Sequence, residues 1–295
     1  MVIPKVKLSS GNFIPKLGLG TYMIGGDQTG RNPENDDAGQ IKSLKYAIDQ
    51  GFSFIRTAHN YADGYCEELL GRSIKDYDRE KLFITSCANQ RYAVDKQSII
   101  EVAKGSLRSL QIDHFDLYLI GSINPNTSVK SILDGLLYLQ ENGLTKDIGV
   151  ANYRLPELKA AADYLEGKLV YNEMHYNLII REPEVCGVLD FCQKNGIMLC
   201  AYRPLQLGQL SRPGINLLDK IAKKYRKSQS QIALKWLIQK DGIIAVTKAL
   251  SFNHIKADLD IFNWNLENTD IEKLNNDFPV QIRTSDCSEP RIFKF

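Results

Sequence analysis

Six cysteines and four histidines carry the side chains best suited to bind a metal or to act as nucleophiles, and their spacing limits what they can do. Cys66, Cys87, Cys186, Cys192, Cys200 and Cys287 include no C-x-x-C pair. His59, His114, His175 and His254 form no H-E-x-x-H or other zinc-like cluster. The pattern is that of unpaired thiols in a reducing compartment, with no disulfide framework and no metal site. A reaction built on His59, Cys87 or Glu173 would need these residues to share a constellation, and nothing in their spacing supplies one.

What must position such residues is legible in the alternation of the chain. Short β-branched and aromatic runs alternate with longer amphipathic segments, the mark of repeated βα units and a parallel sheet. A hairpin over residues 6–15, turning at Ser10-Gly11-Asn12, precedes a first strand at 17–22. Further strands are expected at 52–58, 82–87, 116–121, 148–152, 170–175, 197–202 and 243–248. Helices are expected at 37–50, stopped by Gly51, and at 129–142, stopped by Gly143. Two more, at 217–227 and at 228–240 with Ser228 as cap, precede the last strand. Eight parallel strands close most economically as a single (β/α)8 TIM barrel, one domain over residues 1–295, whose functional residues sit at the carboxyl ends of the strands. Those ends are Tyr22, Arg56 to Tyr61, Cys87, Gly121, Ala151-Asn152, Glu173 to His175, Tyr202-Arg203 and Lys248.

These strand ends, with Gly18-Leu19-Gly20-Thr21, Leu82-Phe83-Ile84-Thr85, Asp116-Leu117-Tyr118-Leu119, Ile148-Gly149-Val150-Ala151-Asn152, Ala201-Tyr202-Arg203-Pro204-Leu205 and Val246-Thr247-Lys248-Ala249, give a chain that resembles the aldo-keto reductases nearly end to end. The resemblance implies reduction of aldehydes and ketones with NADPH. A Tyr acts as general acid, a Lys lowers its pKa, an Asp pairs with the Lys, and a His orients the carbonyl. The physical need is plain: a phenol titrates near ~10, so it protonates an alkoxide near neutrality only beside a cation in a dry pocket. By the resemblance the Tyr is Tyr61, while Arg56 stands at the Asp position, Cys87 at the Lys position and Gly121, followed by Ser122, at the His position. Arg56 cannot give up a proton, Cys87 is neutral unless ionised, and Gly121 has no side chain. Neither member of the Asp–Lys pair is left as an orphan charge. Arg56 is therefore a candidate to lower the Tyr61 pKa, against the alternative that it binds an anion or turns to solvent. His59 is a candidate replacement proton donor or a plain loop histidine. Cys87 is a redox thiol if Arg56 lowers its pKa, and otherwise inert.

The same resemblance implies a nicotinamide site. Asn152 matches a carboxamide-binding position and Tyr202 the ring-stacking position, whereas Ala151 loses a hydroxyl. Glu173 replaces a Gln, keeping an acceptor but adding a negative charge that would favour the oxidised ring. Leu205 belongs to the loop that passes over the pyrophosphate. Lys248 matches the lysine for the adenosine 2′-phosphate, with Ser251 at a helix start and His254 at an Arg position. NADP(H) is the expected cofactor, with NAD(H) as the second candidate. The tail from Thr284 to Phe295 either covers the pocket mouth or packs below the barrel, and Trp236 and Trp264 read as packing residues.

Composition agrees with a globular chain: 295 residues, 43% hydrophobic and 24% charged, with 37 Lys plus Arg against 35 Asp plus Glu. A balance of +2 offers no general field for nucleic acid or an anionic membrane. No apolar run approaches a membrane span, and the opening residues lack the pattern of a signal peptide, so a cytoplasmic protein is expected. Two functions follow. One is a nicotinamide-dependent oxidoreductase acting on a small carbonyl compound or metabolite with an altered acid. The other is a pseudoenzyme that keeps the cofactor or a metabolite in a regulatory or structural role, with a protein partner.

Overall fold

A computed structural model describes residues 2–27, 30–89, 91–121 and 128–287. Ser122 and the tail beyond residue 287 lie outside them. The chain opens with a hairpin of β1 (Lys5–Lys7) and β2 (Phe13–Pro15), antiparallel with Val6 opposite Ile14; Gly11, at φ +99°, makes the turn that an L side chain would strain.

Eight parallel strands follow: β3 (Leu17–Gly20), β4 (Phe54–Arg56), β5 (Phe83–Ala88), β6 (Phe115–Ile120), β7 (Thr145–Ala151), β8 (Leu169–His175), β9 (Met198–Tyr202) and β10 (Ile243–Thr247). They pair in chain order and close between β10 and β3 into a barrel. The helices are α1 (Asp37–Gln50), α2 (Tyr65–Ile74), α3 (Lys96–Leu110), α4 (Val129–Glu141), α5 (Leu155–Tyr164), α6 (Glu182–Val185), α7 (Val188–Lys194), α8 (Asn216–Tyr225), α9 (Gln229–Ile238), α10 (Phe252–Asp260) and α11 (Asn268–Asn276). The expected helix at 37–50 forms with those bounds, capped by the Asp36 carboxylate on the Gly39 N–H and ended by Gly51 at φ +117°. Ser228 caps α9 as expected, accepting from the Gln231 N–H. Among the described residues no helix is long and apolar enough to cross a membrane.

Period-2 alternation sorts the strand residues between two cores. Phe54, Phe83, Leu117, Leu119, Met198 and Ile244 fill the barrel interior, where the hairpin's Leu8 and Ile14 close its base. Their strand neighbours Ile55, Ile84, Tyr118, Ile148 and Leu199 face the helices. Gly149 is required by this packing: a Cβ there would lie 2.7 Å from Leu119 Cδ2 and 2.9 Å from the Tyr171 carbonyl oxygen. With the base plugged, the open end is the carboxyl end of the strands.

Candidate active site

Arg56 ends β4 and turns inward, 7% exposed. Its partner is Glu173, 4% exposed and two residues before the end of β8. Arg56 Nε and Nη2 donate to Glu173 Oε2 and Oε1 at 3.1 and 2.7 Å, a bidentate fork across the barrel mouth. Nη1 donates to the Thr57 carbonyl at 2.9 Å and to the Tyr61 hydroxyl oxygen at 3.1 Å. The Tyr171 hydroxyl donates to Glu173 Oε2 at 3.3 Å. Burial works against the charged guanidinium, but Glu173, Tyr61 and Cys87 together more than offset it and hold Arg56 well above the ordinary arginine range.

This geometry corrects the expectation that Arg56 turns to solvent. Its guanidinium pairs with Glu173 and draws the Tyr61 pKa down, but by less than burial raises it. Burial dominates at Tyr61 and pushes the phenol up to about 12, with Arg56 opposing only in part. Glu173 binds Arg56 through both oxygens, and the guanidinium offsets its negative charge toward a ligand.

Burial also pushes the Cys87 thiol up to about 11, again with Arg56 opposing, so this 6% exposed residue is the inert cysteine rather than a redox thiol. Gly121 leaves limited room: a Cβ there would meet the Ala88 carbonyl oxygen at 3.3 Å and Cys87 Sγ at 3.7 Å. His59 is half-buried, with Nδ1 3.2 Å from the Cys87 carbonyl. A carbonyl only accepts, so Nδ1 carries the proton and the buried Nε2, without a partner among the described residues, carries a lone pair. Burial lowers the His59 pKa, which favours the neutral ring.

The remaining expected residues ring the same end of the barrel. Asn152, in the left-handed region at φ +60°, accepts from the Tyr202 hydroxyl at 2.8 Å. Ala151 pairs with Glu173 in the sheet, and Leu205 packs partly buried against the main core. Lys248 is exposed just after β10. Ser251 caps α10 by accepting from the exposed His254 N–H at 3.2 Å. Trp236 is fully buried and donates to Asn275 Oδ1 at 2.8 Å, a packing residue as expected.

Sequence reasoning missed a cluster beside Tyr202. The chain returns after α11 through a backbone bridge between Ile180 and Ile282, which lays residues 284–287 over the ends of β8 and β9. Of the two placements expected for the tail, the described part therefore takes the one at the open end. There His175, set aside from the sequence, meets Gln206, Ser285 and Asp286. Only the run His175-Tyr176-Asn177 at the end of β8 could have hinted that side chains converge there, and the tail partners are too distant in sequence to be read.

The model of the aldo/keto reductase family matches residues 16–276. This chain belongs to the aldo/keto reductase family. It is 31% identical over 275 residues to the glyoxal reductase of Bacillus subtilis (strain 168), covering 92% of this chain and 91% of that one. It is 28% identical over 323 residues to aldose reductase C of Dictyostelium discoideum, covering 97% and 92%. Among solved structures, a thermostable aldo-keto reductase crystallised with the inhibitor epalrestat superposes with a TM-score of 0.88 at 34% identity, covering 92% of this chain and 98% of that chain. The aldo-keto reductase of Klebsiella pneumoniae in complex with NADPH gives a TM-score of 0.83 at 25% identity, covering 96% and 98%. In this chain the Arg56–Glu173 pair stands at the mouth where the strand ends converge.

Proposed function

We propose that this chain is an NADP(H)-binding aldo-keto reductase-like protein in which an ion pair has replaced the proton relay, so that carbonyl reduction by that relay is very weak or absent. The observation that carries the reading is the bidentate contact of Arg56 with Glu173 beside a Tyr61 phenol pushed up to about 12. A general acid should titrate near the working pH. Tyr61 does not, and Cys87 and Gly121, at the positions the family resemblance gives to Lys and His, supply no cation and no imidazole.

The residues present fit a dinucleotide at its adenosine end. Lys248 offers an exposed ammonium to a phosphate, and the first turn of α10 behind Ser251 offers backbone N–H groups. At the other end Asn152 and Tyr202 are held together by their own hydrogen bond and would orient a carboxamide and a ring. Glu173 departs from this, because Arg56 occupies both its oxygens. When bound, the dinucleotide would supply a hydride. The chain's part is to position it, while Tyr61 keeps its proton and Arg56 donates to the Tyr61 oxygen. The related glyoxal and aldose reductases suggest a small aldehyde or ketone as the second ligand.

The oxidoreductase reading keeps one supporting observation, the Tyr61 hydroxyl still lodged at the mouth beside a guanidinium. Titration of the purified protein with NADPH, followed by cofactor fluorescence, should show saturable binding. Lys248→Met should weaken NADPH about tenfold while leaving NADH unchanged, as expected for one charge-assisted phosphate contact. No turnover should appear across a broad aldehyde panel. Turnover that disappears in Tyr61→Phe would establish the oxidoreductase instead, and absence of nucleotide binding would overturn both readings.

A further inference from the structure

The cluster beside Tyr202 consists of atoms that can bind a metal. His175, 1% exposed, has its Nε2 2.8 Å from Gln206 Oε1, which also accepts from Asn177 Nδ2 at 2.9 Å. An amide oxygen only accepts, so the imidazole proton sits on Nε2 and Nδ1 carries a lone pair. That lone pair points at the tail. Ser285 Oγ lies 2.8 Å from Nδ1, and Asp286 Oδ1 lies 3.2 Å from it. Cys287 Sγ is 3.5 Å from the same Asp286 oxygen, and the three ligand atoms all fall within 4.8 Å of one another.

A neutral imidazole's lone pair and a carboxylate oxygen repel unless a proton or a metal cation stands between them. The Ser285 hydroxyl has one proton to give, which cannot serve Nδ1 and Oδ1 together. We infer that His175 Nδ1, Asp286 Oδ1 and Cys287 Sγ form a binding site for a borderline first-row dication, zinc being the best match. Mixed nitrogen, oxygen and sulfur donors select such an ion over magnesium or calcium. With ordinary zinc–ligand bond lengths, a tetrahedral site sets its N···O and O···S separations at about 3.4 and about 3.6 Å. The separations here are 3.2 and 3.5 Å, close to those values, and Nδ1 and Sγ lie within 4.8 Å of each other.

The surroundings suit the role. The Gln206 contact on Nε2 orients the imidazole in the way metal-bound histidines usually are. The Ser285 N–H donates to Glu182 Oε2 at 2.7 Å, and Glu182 is held by Arg154 at 2.8 Å, so the tail is anchored just before its ligands. Arg203 Nη1 lies 3.1 Å from Cys287 Sγ and 3.4 Å from Asp286 Oδ2. It engages the carboxylate oxygen that the metal does not use. The Asp286 side chain is 69% exposed, which leaves an open side for water as fourth ligand.

The test is a titration of chelator-treated full-length protein with cobalt(II), whose thiolate bond gives a charge-transfer absorption, followed by displacement with zinc. The expected result is saturation at one equivalent, loss of the charge-transfer band in Cys287→Ser, and at least tenfold weaker binding in Asp286→Asn. Gln206→Asn should weaken binding by roughly 10–100-fold while keeping the shape of the spectrum, since it removes only the orienting contact. His175→Gln should lose the tetrahedral ligand-field bands. Because His175 is buried, circular dichroism accompanies that variant, and the half-exposed Cys287→Ser decides the matter if it does not fold. Absence of a thiolate band in the wild type, or an equal band in Cys287→Ser arising from another cysteine, overturns the assignment.

Discussion

Removing one partner of the Arg56–Glu173 pair should cost far more than removing both. The two side chains are 9% and 5% exposed, and the fork contributes two hydrogen bonds at 3.1 and 2.7 Å. Arg56→Met leaves a carboxylate facing an apolar side chain, with only the Tyr171 hydroxyl as donor at 3.3 Å. Breaking a buried pair from one side typically costs about 3–5 kcal/mol, because the abandoned charge has lost its solvent and its partner. Glu173→Leu should cost a similar amount by stranding the guanidinium against Thr57 and Tyr61. The double variant, Arg56→Met with Glu173→Leu, abandons no charge and should fall within about 1–2 kcal/mol of the wild type, since well-packed apolar replacements of buried pairs are often neutral. The coupling energy from urea unfolding of the four proteins should then be several kcal/mol in favour of the pair. Single variants that each cost less than about 1 kcal/mol, or a double variant as unstable as the sum of the singles, would refute the claim that these charges neutralise each other in a dry barrel mouth.

A second prediction concerns Glu67 on α2, 1% exposed, whose Oε1 accepts from Ser86 Oγ at 2.6 Å. Burial raises its pKa from 4.5 to about 7, with Ser86 and Ser106 opposing. A raised folded pKa means that its stabilising influence is complete below pH 4.5 and is lost as the pH rises through about 7. Glu67→Gln keeps the acceptor without the titration, so between those limits it should gain on the wild type by on the order of 3 kcal/mol, read from unfolding at both ends of the range. A constant difference across that range would refute the assignment. The third prediction concerns reinstatement of the relay. Arg56→Asp, Cys87→Lys and Gly121→His together would still leave Glu173 as a surplus negative charge beside the new Asp. The triple variant should therefore be unstable and inactive, and adding Glu173→Gln should restore folding and aldehyde reduction. Equal behaviour with and without the fourth change, in unfolding and in NADPH consumption, would show that Glu173 is irrelevant.

The framework was legible because periodicity and caps are local. The α1 bounds, the Ser228 cap and the order of the eight strands follow from residues a few positions apart. The site was legible as a set of positions and illegible as a set of contacts. Arg56 and Glu173 are 117 residues apart, and each, taken alone, suggests a free charge. The signal that could have joined them is that both stand at the same barrel end with charges of opposite sign. Tyr61 shows the complementary failure: a neighbouring arginine in sequence suggested a depressed pKa, but the sign is set by burial and by where the arginine's charge is spent. The His175 cluster escaped because its partners come from a loop and a tail with no periodicity.

The return of the chain over β8 has a consequence for loop closure. Arg181 N–H donates to the Ile282 carbonyl at 2.8 Å and Ile282 N–H to the Ile179 carbonyl at 2.7 Å, pairing the end of the described chain with a segment laid down much earlier. Closing a loop costs chain entropy that grows slowly with its length. The strap joins Ile180 with Ile282, whereas barrel closure joins Leu17 with Ala245, so the strap closes the shorter loop of the two. A metal held there would fasten the last described segment to the middle of the chain.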